Sequence, residues 1–171
     1  GEPHGPPRLA GGPELSVART GDLVALAVCD QPVGIDVEEV AGSAGVVELA
    51  GPPVLSPDET HALAALPHRA RPAALVRYWT RKQAVLKATG DGLKVEPSVV
   101  TVSRPDAPPR LVGFAGRPGL EERAALVDLH PAPAHTAALC VLGPGGDAGG
   151  DLEVTEHDAG PLLRGYDAPL G

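Results

Sequence analysis

Hydrophobic residues fall along this chain in short blocks, and the spacing within each block predicts its form. Leu23 to Val28 is a continuous apolar run closed by Asp30, Gln31 and Pro32, the pattern of a buried strand ending in a turn. Val33, Ile35 and Val37 then alternate with Gly34, Asp36 and Glu38, the period of two that marks a strand with one apolar face. Ser56-Pro57-Asp58-Glu59 predicts a helix start. Ser56 caps, Pro57 fits the first turn, and Glu59 completes a capping box. That helix should run to about Leu66. A longer one is predicted over Pro72 to Thr89, with Gly90 placed to end it in a left-handed conformation. Ser98 to Ser103, Leu111 to Phe114, Ala124 to Leu129 and Thr136 to Leu142 read as strands separated by Pro and Gly turns. Residues 1–14 and 41–53 read as loops, and residues 143–151, GPGGDAGGD, as a flexible linker. This places one domain over residues 1–142 and an acidic tail without assigned role over 152–171. Strands and helices come mixed, so the expected class is α+β.

Composition narrows the function. A chain of 171 residues is long enough for one domain with a real core. Its 22 Gly and 20 Pro imply long turns and at least one loose stretch. No apolar run approaches the roughly 20 residues of a membrane span, and no stretch has the basic start and apolar middle of a signal peptide, so a cytoplasmic protein is expected. A net charge of −8 and only four aromatic residues argue against a nucleic-acid partner. Cys29 and Cys140 sit inside apolar runs and read as reduced core thiols, and the six histidines lack metal-ligand spacing. The sequence holds no Met, which suggests a processed chain or, better, a piece of a longer protein.

Charge is distributed unevenly. Between Arg69 and Lys94 seven basic residues face one acidic residue, Asp91, in an otherwise acidic chain. Such a window draws an anionic ligand to one place. Asp36 and Glu38, two apart on a strand, project from one face, and carboxylates that close call for a positive partner such as a hard divalent cation. Gln83 and Lys87 share a helix face, with Lys82 about 100° around from Gln83. Two metal-ligand acids on a strand and two lysines on a helix together suit a magnesium–phosphate site. Taken singly, each feature is equally compatible with an ordinary solvated surface.

GIDVEEV followed some 40 residues later by WTRKQAVLKATGDGL resembles the two signature stretches of the Sfp-type 4′-phosphopantetheinyl transferases. HGPPRL is similar to that family's Gly-Lys/Arg-Pro stretch, and LSVARTGDLVALAV to its Ser-His-Ser-Gly segment running into a strand. The resemblance implies a pseudo-twofold α+β monomer of two similar halves, here lacking the N-terminal elements of the first. It implies magnesium-dependent transfer of the phosphopantetheine arm of coenzyme A to a serine of an acyl or peptidyl carrier protein, with release of adenosine 3′,5′-bisphosphate. By position, Asp36, Glu38 and Gln83 match the metal ligands, and Lys82 and Lys87 match the lysines that meet the phosphates. Arg19 and Thr20 match the pair at the nucleotide end, and Arg8 substitutes for the cation that Pro6 displaces. Gln83 stands where the family has the glutamate that helps deprotonate the serine. A glutamine oxygen can coordinate magnesium but accepts no proton at neutral pH, so the expectation is a slow enzyme. The alternative is a weakened relative that binds coenzyme A or a carrier protein without efficient turnover.

Overall fold

The computed structural model describes residues 11–41, 53–143 and 152–161. Strands β1 (Glu14–Thr20) and β2 (Leu23–Cys29) form an antiparallel hairpin that turns at Gly21 and Asp22. Gly21 takes φ +52°, a conformation that glycine adopts without penalty. β3 (Val33–Glu39) follows, then helices α1 (Pro57–Ala64) and α2 (Arg71–Ala88). The chain closes with β4 (Val100–Val102), β5 (Leu111–Phe114), β6 (Ala124–Leu129) and β7 (His135–Leu142). β3, β7 and β6 make an antiparallel sheet in that order, and β4 pairs with β5.

The sheet is covered on both faces, which gives two apolar clusters. On one side α2 lays Val85, Leu86 and Ala88 against Leu126, Ala138, Cys140 and the β4–β5 pair. On the other, Val33, Ile35 and Val37 of β3 and Ala137, Leu139 and Val141 of β7 meet Ala18 and Ala27 of the hairpin. Leu152 and Val154 also pack on this second cluster while Glu153 and Thr155 face outward, so the expected tail begins as a segment docked on the core. Gly34 sets the spacing of the first layer. A β-carbon there would lie 2.0 Å from the carbonyl oxygen of Ala84 and 2.5 Å from the amide nitrogen of Ala88, so only glycine lets β3 approach α2 this closely.

Most predicted elements are present within a few residues, and α1 has its capping box, with Glu59 accepting from the Ser56 backbone at 2.8 Å. α1 stops at Ala64, two residues early. Arg71 donates to the carbonyls of Ala64 and Leu66 and so satisfies the exposed helix end. The strand expected from Ser98 begins instead at Val100, because Pro97 opens a short 3-10 turn over Pro97–Val99.

The hairpin corrects two expectations. β1 lies in a region where pattern marked no strand, and β2 is not a buried strand. Val24, Leu26 and Val28 are 61%, 59% and 59% exposed, whereas Ala25 and Ala27 face β3. The reason is packing distance. Small residues bring the hairpin close to the sheet, and its larger apolar side chains are left outward. Cys140 is a buried free thiol pushed up to about 12 by burial, as expected of a core cysteine, while Cys29, also free, is half-buried on the hairpin. Among the described residues no helix is long and apolar enough to cross a membrane.

Candidate active site

The face of β3 that meets α2 carries Gly34, Asp36 and Glu38, and the close approach at Gly34 brings Asp36 to Lys87. Lys87 Nζ donates to Asp36 Oδ1 at 2.8 Å, to the Ile35 carbonyl at 2.9 Å and to the Val17 carbonyl at 3.3 Å. Three acceptors match the three protons of an ammonium, and the contact to Val17 is the longest and lies in an exposed position. Asp36 is buried, and its Oδ2 has no hydrogen-bond partner. Burial raises the Asp36 carboxyl to about 6, with Lys87 opposing that shift and Glu38 adding to it. Beyond Asp36, Glu38 Oε2 accepts from the Thr20 hydroxyl at 3.1 Å, which ties the end of β1 to this corner. Gln83 sits 3% exposed on α2 with Nε2 unpartnered.

These observations test whether the residues suit a divalent cation. A small hard cation such as magnesium takes oxygen ligands, keeps several waters, and commonly needs only one or two carboxylates beside substrate phosphates. The orphaned Asp36 Oδ2 and the Glu38 carboxylate two residues along β3 provide such a donor set. No cluster of three or more His, Cys, Asp or Glu arranged for a metal occurs among the described residues. A structural cage is therefore the wrong comparison; an open, phosphate-completed site is the fitting one.

The expected site residues do not all converge. Asp36, Glu38, Lys87 and Thr20 are linked by the contacts above, and Gln83 lies on the neighbouring turn of α2. Arg19 is exposed, and strand alternation puts it on the opposite face of β1 from Thr20. Arg8 lies outside the described residues. Lys82 is placed elsewhere: it is fully buried, 2.5 Å from Glu59 Oε2, and donates to the carbonyls of Pro97 and Val100. Glu59 in turn accepts from the Val102 amide at 2.9 Å. All three Lys82 protons are thus committed inside the protein, so the expectation that Lys82 meets a phosphate is replaced by a structural bond joining α1, α2 and β4.

A second ion pair escaped the sequence reading. Arg81, fully buried, makes a two-pronged contact to Asp128 at 2.9 and 2.7 Å and reaches the carbonyls of Ser103, Arg104 and Ala107. Asp36 and Asp128 both pair with Ala138 across the sheet, so they stand in one row, about 10 Å apart, facing α2. The helix crosses that row and meets each carboxylate with a cation. The basic window supplied one clue to this arrangement, but nothing local in sequence connects Arg81 to a residue 47 positions away.

Comparison with known proteins agrees with this geometry. The structure is similar to the holo-(acyl-carrier-protein) synthase of Thermotoga maritima at 26% identity and TM-score 0.50, covering 66% of this chain and 62% of that one. This chain thus spans less than two thirds of that enzyme. The synthase of Bacillus anthracis, solved in complex with CoA (3′,5′-ADP), shares the fold at 22% identity and TM-score 0.50, over 65% of this chain and 94% of that one. No curated protein matches the sequence. A family model, in contrast, matches residues 32–140, which include β3, α2 and the Asp36–Lys87 pair, and the chain therefore belongs to the 4′-phosphopantetheinyl transferase superfamily.

Proposed function

We propose that this chain transfers the 4′-phosphopantetheine arm of coenzyme A to a serine of an acyl or peptidyl carrier protein, with magnesium. The observation that carries the reading is the buried Asp36 beside Lys87, with one oxygen paired and the other unpartnered. Supporting it are the superfamily membership and the coenzyme A captured by the B. anthracis relative. The finer assignment is an Sfp-type monomer of the cytoplasm, built on a pseudo-twofold fold.

Asp36 and Glu38 would hold the magnesium, joined by the Gln83 side chain. When bound, the ion offsets the charge of the pyrophosphate and polarises its oxygens. Lys87 holds a phosphate oxygen by releasing its longest contact, the one to the Val17 carbonyl, while its bond to Asp36 keeps the ammonium in place. Thr20 fixes Glu38, and Arg19 and Arg8 supply guanidinium groups for the nucleotide end. In the reaction the serine oxygen forms a bond to the β-phosphorus of coenzyme A. The bond from that phosphorus to the bridging oxygen breaks, and adenosine 3′,5′-bisphosphate leaves with the electron pair. The serine proton passes to a water or a phosphate oxygen, because a glutamine cannot take it.

Gln83 also favours a second reading, a relative that binds both ligands with little turnover. Intact-mass spectrometry separates the two. A promiscuous apo carrier protein incubated with this chain, coenzyme A and magnesium should gain one phosphopantetheine arm, and chelation should abolish the gain. No gain under conditions where a known transferase modifies the same carrier would favour the binder.

A further inference from the structure

Three buried polar atoms, one each on β3, α2 and β7, have no hydrogen-bond partner: Asp36 Oδ2, Gln83 Nε2 and Thr136 Oγ1. The first two belong to the corner described above, and Thr136 is new. Alternation along β7 puts Thr136 on the face of Ala138 and Cys140, which pack beneath α2. The residues that follow it on that face, Ala138, Cys140 and Leu142, are all apolar. A valine would have the same shape and leave nothing unsatisfied. A hydroxyl 3% exposed therefore calls for a polar partner that an apolar core does not supply.

Topology says where that partner is. Thr136 pairs directly with Glu38 across the ladder, just as Ala138 pairs with Asp36. Such neighbours have β-carbons about 5 Å apart. α2 runs from β6, where Arg81 holds Asp128, to β3, where Lys87 holds Asp36. Between those two residues the helix rises about 9 Å, which matches two strand spacings. Gln83 lies between them and so opposite the middle strand, β7. It also shares its helix face with Lys87, one turn away. The fold thus brings Gln83 and Thr136 to the corner of the two carboxylates.

An amide has a direction, and a carboxylate does not. Gln83 carries an oxygen on one side and an NH2 on the other, and only the oxygen suits a cation. If Nε2 turns to Asp36, it donates to the open Oδ2 and takes that oxygen from the cation. The Thr136 hydroxyl offers the opposite solution. With its proton directed to the Glu38 carboxylate, its oxygen is left to accept. We infer that Thr136 is a positioning residue that accepts a hydrogen bond from Gln83 Nε2 and so turns Gln83 Oε1 toward Asp36 and Glu38. The inference rests on the reading of those three residues as magnesium holders, and deepens it by stating what lets a glutamine serve at position 83.

Thr136→Val removes the hydroxyl at constant shape, and Thr136→Ser keeps it. Manganese(II), read by electron paramagnetic resonance with coenzyme A present, is the probe and gives Kd without turnover. Thr136→Val should weaken manganese binding at least tenfold with the thermal transition unchanged or raised, and Thr136→Ser should stay within threefold of the parent chain. In a Gln83→Glu background the two side-chain oxygens are equivalent, so Thr136→Val should change Kd less than twofold. That non-additivity is the signature of amide direction. An unchanged Kd for Thr136→Val beside Gln83 would overturn the inference and leave the metal site in place. Equal weakening in both backgrounds would overturn it too, because a general loss of packing acts on either side chain. A parent chain that binds no manganese overturns the metal reading and the inference together. The expected pattern of Kd without modification of any carrier would sink the transfer reading and leave Thr136 in its role.

Discussion

Two lysines of α2, five residues apart, allow a direct comparison, because each faces a carboxylate from a distant part of the chain. Lys82 is buried completely, and Glu59 with two carbonyls consumes its protons. Burial lowers its pKa, and Glu59 opposes that shift. Lys87 keeps 28% of its side chain exposed and holds Asp36 with one bond and backbone carbonyls with the others. Both pairs are in direct contact. The difference is what lies beyond each carboxylate. Glu59 has its oxygens filled by Ser56, Val102 and Lys82, whereas Asp36 keeps one oxygen without a partner. A complete buried pair holds elements together; an incomplete one, buried at its carboxylate and open at its lysine, is poised for a ligand.

The largest expected effect concerns the incomplete pair. Asp36→Ala should lower magnesium-dependent transfer by about 10³-fold or more, since metal stabilisation of a transferring phosphoryl group is worth several kcal/mol. Mass spectrometry of the carrier reads this directly, and an unchanged rate removes Asp36 from the metal site. Next is the contrast between the lysines. Lys82→Ala leaves Glu59 charged, buried and unpaired, and should cost about 3–5 kcal/mol in urea unfolding. Lys87→Ala should cost far less stability and much more activity. If the two variants behave alike, the division between a structural and a functional lysine is wrong.

Gln83→Glu should raise turnover, by up to about 10²-fold, because a carboxylate restores a proton acceptor beside Lys87. No increase in an otherwise active protein would mean that the proton leaves by another route. The smallest effect is a pH dependence, measured with magnesium chelated. Asp36 titrates near 6 in the folded protein against 3.8 for the ordinary group, so between these values the folded chain holds a proton that the unfolded chain has released. Stability therefore falls as pH rises through that window, by about 3 kcal/mol in total at 1.36 kcal/mol per unit. Asp36→Asn should lack this slope in denaturation curves at pH 4 and pH 7, and a slope that survives the change assigns it to another group.

Much of this was legible in the sequence because it is periodic or local. The alternation at Val33, Ile35 and Val37 located β3, and the Ser56–Glu59 box located α1. The hairpin was less legible because its faces are inverted, with alanines inward and valines outward, so hydrophobicity pointed the wrong way. Lys82 shows a second limit. Helical geometry separates it from Gln83 by about 100°, but only the fold decides that this direction leads to Glu59 and not to solvent. Glu59 itself was visible as a capping residue, and its second contact, to a lysine 23 positions later, has no local trace.

Gly34 has a consequence for how the chemistry of this corner can vary. The gap between β3 and α2 is fixed by main-chain atoms of Ala84 and Ala88 meeting a residue without a side chain. The scaffold distance therefore does not depend on which groups project at 36, 38, 83 or 87. Those positions can exchange donors, charges or proton acceptors while the frame that aims them stays put, and a glutamine can occupy position 83 without a rearrangement of the backbone. In evolutionary terms, reactivity here is separable from architecture, and the hinge of that separation is a missing methyl group.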